Sequence, residues 1–256
     1  MIFTAADQIT TNDAQGTNRY PLGFELCLLI NFQRQLIQPM DKTITTLRQA
    51  IAEAKQREQQ QGQLGAYFET HQQRLHAAVS IARESPKAAL LGFVVDYVNA
   101  VPEHLQALYT LSHEAGIDAY TGPFLKLAVT YFLNPPDLLN AYDGLHAALC
   151  KAYLAHRLME EVNDQVMNLG GAALAPMDMS TANLIALALI GDDFANQLDH
   201  LVLLTVETTA ADKTVFEQDN VRRFMEQRRF KGWDDVLKAW PCFTKDCGVD
   251  LQIGGQ

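Results

Sequence analysis

The stretch LHAALCKAYLAHRLMEEVNDQVM, residues 145–167, decides the fold class of this chain. Placed on a helix at about 100° per residue, it separates into an apolar face and a charged face. The apolar face holds Leu145, Ala148, Leu149, Ala152, Met159, Val166 and Met167, and the charged face holds Lys151, Arg157, Glu161, Asp164 and Gln165. This pattern predicts a long helix that is capped by Asn134, kinks near Gly144 and ends at Gly170-Gly171.

The rest of the chain continues this helical pattern in both directions. Apolar residues recur with helical spacing between proline and glycine breaks, whereas strand alternation and Asn-Gly hairpins are nearly absent. Further helices are predicted over residues 64–84, 87–101, 103–115 and 180–209, with a break at Pro102. We therefore expect an all-α, multi-helix bundle of about eight to nine helices with no significant β-sheet.

Composition predicts three segments along the chain. Residues 1–19 are polar and aperiodic, which indicates a flexible N-terminal arm. Residues 20–241 carry the helical patterns and are expected to form a single α-helical domain, and residues 242–256 form a C-terminal tail. With 256 residues, 48% of them hydrophobic, the chain can bury a sizeable core.

The charge balance argues against several classes of partner. A formal net charge of -10 works against binding to nucleic acid or to an anionic membrane. The sequence has neither a basic, apolar leader at its start nor an apolar run of the roughly 18 residues that a membrane span needs. Its four cysteines do not form a disulfide framework. We expect a cytoplasmic protein.

Three polar residues fall on the apolar side of the helix over residues 145–167. They are His156, Glu160 and Asn163, each one turn from the next. An ionised carboxylate on a buried face needs a partner, and His156 is the nearest candidate for Glu160. The His-x3-Glu spacing directs both side chains toward one point, as a metal site or an acid–base pair requires. A hydrogen-bonded polar network, or a face that water reaches, explains the same row.

Four further candidates lie on other predicted helices. His71 sits in an apolar stripe, where a histidine is usually a core residue with one hydrogen bond. Glu25 lies among apolar residues near a helix start, where the helix dipole alone favours glutamate. Glu69 and His76 share one flank of the helix predicted over residues 64–84, and contact with solvent explains both equally well.

These positions resemble the ligand pattern of the heme-oxygenase-like di-iron oxidases. That family carries a glutamate and a histidine on one helix, as at Glu69 and His76, and His-x3-acidic-x2-His on a late helix. Here His156 and Glu160 match the start of the second motif, and Asn163 stands where the family has its last histidine. The resemblance covers only these positions, and it implies a helical bundle that holds two metal ions.

The intervening glutamate ligand of that family has no assigned position in this chain. Glu103 and Glu114 are the two candidates for it. This gap and the asparagine at position 163 are the departures from the family pattern.

Two functions of different classes follow from these observations. The first is a metal-dependent oxidoreductase, with a di-iron centre as the implied form, acting on a small organic molecule through iron or another transition metal. The ligands expected for it are His156, Glu160, His76, Glu69, His71 and Glu25, with Asn163 orienting a ligand or the substrate. The catalytic residues stay unassigned, and without a Gly-rich phosphate loop no nucleotide cofactor is indicated.

The second function is a non-catalytic helical protein that binds a ligand or regulates a partner. In this hypothesis the row His156, Glu160 and Asn163 lines a ligand pocket or stabilises a subunit interface. Amphipathic helices also allow a homodimer or a larger homo-oligomer. Whether the protein is an enzyme is left open by the sequence.

Overall fold

The computed structural model describes residues 40–71, 74–75, 79–81, 85–231 and 249–251. All of these residues belong to one compact unit, Pro39–Gln256. The predicted arm over residues 1–19, most of the predicted tail over residues 242–256, and the candidates Glu25 and His76 lie outside the described residues.

The described part of the chain is built almost entirely from α-helices. In chain order the elements are α1 (Met40–Gln61), α2 (Gln63–Thr70), β1 (Val79–Ile81), α3 (Pro86–Ala115), α4 (Asp118–Leu133), α5 (Gly144–Gly170), α6 (Ser180–Ile190), α7 (Asp192–Thr208), α8 (Asp219–Lys231) and β2 (Val249–Leu251). Short 3₁₀ turns cover Asp137–Leu139 and Lys213–Glu217. This architecture confirms the predicted all-α bundle. Among the described helices, none has both the length and the apolar character needed to span a membrane.

Helix α5 begins nine residues later than the sequence predicts. The two prolines after Asn134 end α4, and the helix starts at Gly144, whose backbone N–H donates to the Asp143 carboxylate at 2.7 Å. Asp143 is therefore the cap, and the predicted cap at Asn134 is wrong. Gly144 has a φ of +57°, so the residue predicted as a kink instead starts the helix in a conformation that favours glycine.

Helix α5 is the centre of the bundle. It packs against α1, α3, α4, α6 and α7. Leu149, Ala152, Ala155 and Leu158 along it are fully buried. Because neighbours cover α5 on several sides, its buried surface is wider than the single apolar stripe that the sequence predicts.

Pro102 does not divide the helix in which it lies. Helix α3 runs from Pro86 to Ala115 with Pro102 inside it, so the predicted break is wrong. Pro102 is buried in the same stretch as Val98, Val101 and Leu105. Burial of this apolar surface offsets the backbone hydrogen bond that a proline removes from a helix.

Two other predicted helices are also shorter than expected. Helix α2 ends at Thr70, and β1 occupies residues 79–81, pairing antiparallel with β2. The predicted helix over residues 180–209 is two helices, α6 and α7, which meet at Gly191. Gly191 has a φ of +106°, a conformation that residues with a Cβ atom rarely adopt.

Candidate functional site

His156 lies in the closed interior between α5 and α3. Its Nε2–H donates to the carbonyl oxygen of Tyr97 at 2.9 Å, and its Nδ1 lies 3.3 Å from Nδ1 of His104. Since Nε2 carries the proton, Nδ1 of His156 accepts and Nδ1–H of His104 donates. Burial lowers the pKa of His156 to about 4, and burial also lowers the pKa of His104. His156 is therefore a neutral core residue at pH 7.

Glu160 takes different partners from the one that the sequence suggests. Its Oε2 accepts hydrogen bonds from Nη1 of Arg157 and from Nδ2 of Asn183, the latter at 2.9 Å. The expected pairing of Glu160 with His156 is therefore wrong. Asn183 reaches the carboxylate from α6, and Arg157 folds back onto it instead of extending into solvent. The Arg157 side chain is only 26% exposed, although the helical wheel places it on the charged face.

Arg157 joins α5 to α7. Its Nε donates to Oδ1 of Asp199 at 3.0 Å, and the hydroxyl of Tyr153 donates to Oδ2 of the same carboxylate, also at 3.0 Å. Burial, together with the nearby Asp199 carboxylate, raises the pKa of Tyr153, so this hydroxyl stays protonated and keeps donating. The carboxylate of Asp199 is thus held on both oxygens by groups from α5.

A chain of hydrogen bonds connects this cluster to the protein interior. The hydroxyl of the buried Tyr97 donates to Oδ1 of Asn183 at 2.6 Å, and Asn183 in turn donates to Glu160. Tyr97 also provides the carbonyl oxygen that His156 binds. Helices α3, α5, α6 and α7 are therefore linked through polar groups at one level of the bundle.

A surface pocket of about 390 Å³ lies over the Arg157 cluster. Four carboxylates and one guanidinium line it, a formal excess of three negative charges: Glu160, Glu161, Asp164 and Asp199 against Arg157. The remaining lining residues are Tyr153, Ser180, Asn183, Leu184 and Leu187. The pocket combines acidic groups, hydroxyl and amide groups, and two leucine side chains.

Asn163 has a structural role in the loop between α5 and α6. Its Oδ1 accepts from the backbone N–H groups of Leu174 and Ala175, both at 2.9 Å, and its Nδ2 donates to the carbonyl oxygen of Ala175 at 3.2 Å. The side chain is buried with these contacts. All of its described hydrogen bonds hold the loop in place, so they do not support the predicted role in orienting a ligand.

Glu69 and His71 lie away from the row on α5. Glu69 accepts from Nζ of Lys87 at 3.0 Å and its side chain is 62% exposed. His71 stacks on Tyr67, with ring centroids 4.2 Å apart, and its Nδ1 lies 2.9 Å from the carbonyl oxygen of Tyr67. Both residues use their polar atoms in local surface contacts.

The proposed metal ligands do not converge within the described part of the chain. There, no group of three or more histidine, cysteine, aspartate or glutamate side chains could hold a metal ion. Glu103 and Glu114, the two candidates for the missing glutamate ligand, each lie 4.0 Å from an arginine nitrogen, of Arg48 and Arg228 respectively. His76 and Glu25 fall outside the described residues, so the metal hypothesis stays a prediction that metal analysis of the purified protein can check.

Of the residues that line the pocket, only Glu160 is among the site residues predicted from the sequence. Tyr153, Asn183 and Asp199, which complete its hydrogen bonds, were not predicted. One signal was present, since Tyr153, Arg157 and Glu160 follow each other at spacings of four and three residues on one helix. The residues on α6 and α7 carry no such signal, because only the packing of the helices brings them to α5.

Comparisons with known proteins assign no family to this chain. No family model, no curated protein and no solved structure matches this chain. The geometry and the charges of the pocket are therefore the basis for a proposed function.

Proposed function

We propose that this protein is a non-catalytic binding protein whose pocket between α5, α6 and α7 takes a small organic cation. The observation that carries the proposal is the formal excess of three negative charges around the pocket of about 390 Å³. A low-dielectric wall strengthens the attraction of such a site for a cation. An anionic ligand would be repelled by the same groups.

The polar groups of the pocket are held in place before any ligand arrives. Arg157 and Tyr153 fix the Asp199 carboxylate, and Asn183 fixes Glu160. Rigid polar groups lose little conformational entropy on binding, which favours affinity. The two hydrogen bonds of Glu160 within the described residues both end on Oε2, so Oε1 is left as an acceptor for an ammonium group.

The pocket also suits a ligand with an apolar part. Leu184 lines it and is 49% exposed, and Leu187 lies one turn further along α6. Sites for small molecules usually combine apolar walls with a few convergent polar groups in volumes of roughly 300–1,000 Å³. An amine that carries a hydrocarbon chain or ring matches these walls. The oxidoreductase hypothesis has no comparable support among the described residues and stays a prediction.

The test is a calorimetric titration with 2-phenylethylamine, an ammonium at neutral pH, and with its neutral analogue 2-phenylethanol. We expect the amine to bind at least tenfold more tightly at low ionic strength and the difference to shrink as salt is added. The variant Glu161→Gln/Asp164→Asn removes two pocket charges without touching Arg157, Glu160 or Asp199. It should weaken amine binding at least fivefold and leave the binding of the alcohol unchanged.

The matched control is Glu207→Gln, which removes an exposed carboxylate from α7 that does not line the pocket. This control should bind the amine as the wild type does. Equal affinity for the amine and the alcohol in the wild-type protein would overturn the proposal. So would an equal loss of amine binding in the control and in the double variant.

A further inference from the structure

A second pocket lies on the first half of α5, where that helix faces α1 and α4. Its volume is about 180 Å³, and the charged residues that line it are Glu53, Arg57, Asp143 and Lys151. It shares no lining residue with the pocket around Arg157. It also differs in charge, because two cations and two carboxylates line it.

Three of these four charged groups are already engaged within the protein. Arg57 donates from Nη1 to Oδ1 of Asp143 at 2.7 Å, and the same oxygen accepts the N–H of Gly144. Glu53 accepts from Nε2 of Gln49 at 3.1 Å. These contacts neutralise Arg57 and Asp143 against each other. Glu53 keeps its charge, because Gln49 is neutral, but its side chain is exposed to solvent.

Lys151 is the exception. Its side chain is half-buried, and among the described residues its ammonium has neither a hydrogen bond nor an ion pair. Burial lowers the pKa of Lys151, because the charged form loses hydration there. An ammonium in this position gains stability from any anion that enters the pocket.

The remaining walls are apolar and set the size of the ligand. Phe132 and the ring of Tyr142 line the pocket, together with alanines of α1 and α5. An engineered apolar cavity of about 150 Å³ in another protein holds benzene. A pocket of about 180 Å³ therefore has room for one ring, or a short aliphatic chain, that carries one small charged group.

We propose that this pocket is a binding site for a small monocarboxylate, whose charged group pairs with Lys151 and whose hydrocarbon part packs on Phe132 and the neighbouring alanines. The four charges of the pocket sum to zero, but Lys151 is the half-buried one, and among the described residues it has no hydrogen bond or ion pair. A monoanion therefore fits beside it better than a phosphate dianion, which Glu53 and Asp143 would repel more strongly. The site is separate from the one for the organic cation, so either proposal can fail without the other.

The test uses benzoate and its neutral analogue benzamide, titrated into the full-length protein and followed by calorimetry. The wild type should bind benzoate at least tenfold more tightly than benzamide. Lys151→Met keeps most of the unbranched side chain and removes its charge, so benzoate and benzamide should bind it alike. Lys126→Met, which removes an exposed lysine from α4, is the matched control and should behave as the wild type does.

A second variant keeps the test decisive if Lys151→Met folds poorly. Ala54→Leu fills the pocket wall from α1 and leaves Lys151 in place, so it should lose both benzoate and benzamide binding. Neither substitution should change the affinity for 2-phenylethylamine, which separates this site from the other pocket. Equal affinity for benzoate and benzamide in the wild type, or unchanged benzoate binding in Lys151→Met, would refute the proposal.

Discussion

The guanidinium of Arg157 donates from Nε to Oδ1 of Asp199 at 3.0 Å and thereby connects the central helix α5 to α7. Glu160 receives a second hydrogen bond from the same guanidinium, so one cation serves two carboxylates. The side chains of Arg157, Glu160 and Asp199 are 26%, 13% and 27% exposed. A half-buried ion pair gains stability when further hydrogen bonds support its charged groups. Here Tyr153 donates to Oδ2 of Asp199 and Asn183 donates to Oε2 of Glu160.

Replacing Arg157 with methionine should destabilise the fold. The substitution leaves two carboxylates near each other in a half-buried site without their cation. We expect the free energy of unfolding in urea to fall by about 2 kcal/mol, less than for a fully buried pair because part of the site is solvated. Arg48→Met is the control, since Arg48 lies 4.0 Å from Glu103 and both side chains are well exposed. Its effect should stay below about 0.5 kcal/mol, and equal effects would contradict the prediction.

Asn163→Ala should destabilise the protein more than a surface substitution on the same helix. It leaves the backbone N–H groups of Leu174 and Ala175 buried without an acceptor, at a cost of about 1–3 kcal/mol for each group. We expect a total loss of about 3 kcal/mol in urea unfolding followed by circular dichroism. The exposed Asn168 provides the control, Asn168→Ala. A change in ligand affinity at constant stability would instead favour a ligand-orienting role.

The stability of the protein should decrease as the pH falls below about 6.5. His156 has a pKa of about 4 in the folded state and near 6.5 in the unfolded chain, so the unfolded chain binds more protons between these values. The loss of stability begins near pH 6.5 and levels off below about pH 4. The contribution of His156 to this loss is about 3 kcal/mol. His156→Gln should therefore flatten the pH dependence of the unfolding free energy.

The exposed His113 supplies the matching control for this titration. Its side chain is 80% exposed, and His113→Gln should leave the slope between pH 4 and pH 6.5 close to that of the wild type. His146 adds a second contribution of the same sign, because burial lowers its pKa to about 4 as well. Identical slopes in His156→Gln and the wild type would show that His156 is solvated in solution.

Cys150 should be inert toward alkylating reagents in the native protein. The residue is fully buried, and burial raises the pKa of its thiol to about 12. Only roughly one thiol in ten thousand would then be ionised at pH 8. Treatment with iodoacetamide followed by peptide mass spectrometry should find Cys150 unmodified in buffer and modified in 8 M urea. Rapid labelling in buffer would mean that the first half of α5 opens readily.

The pattern of residues along the chain was enough to predict the all-α class and the existence of α5. Helical periodicity is a local property, and residues 145–167 show it without reference to any partner. The residues at which helices begin and end were harder to predict. Pro102 and Gly191 illustrate the reason: the burial of the first keeps α3 continuous, and a backbone conformation suited to glycine divides α6 from α7.

The row of polar residues on α5 was identified correctly from its spacing, but the partners of these residues were not. His156, Glu160 and Asn163 are all largely buried, as their positions on the wheel predict. Apart from Arg157, which lies three residues before Glu160 on the same helix, their described partners include Tyr97, Asn183 and the loop after α5. These partners are separated from them by between 11 and 59 residues in sequence. Spacing within one helix carries no information on such distant partners.

The amino-acid sequence by itself determined that this protein is a helical bundle around an amphipathic helix with three polar residues on its buried side. The tertiary structure decided what those residues do, because the packing of α3, α6 and α7 on α5 selects each hydrogen-bond partner. The sequence places Arg157 on the charged face of the helix, whereas in the tertiary structure it lies at the centre of a half-buried cluster. Burial and pairing depend on the relative placement of whole helices, which periodicity along one helix does not specify.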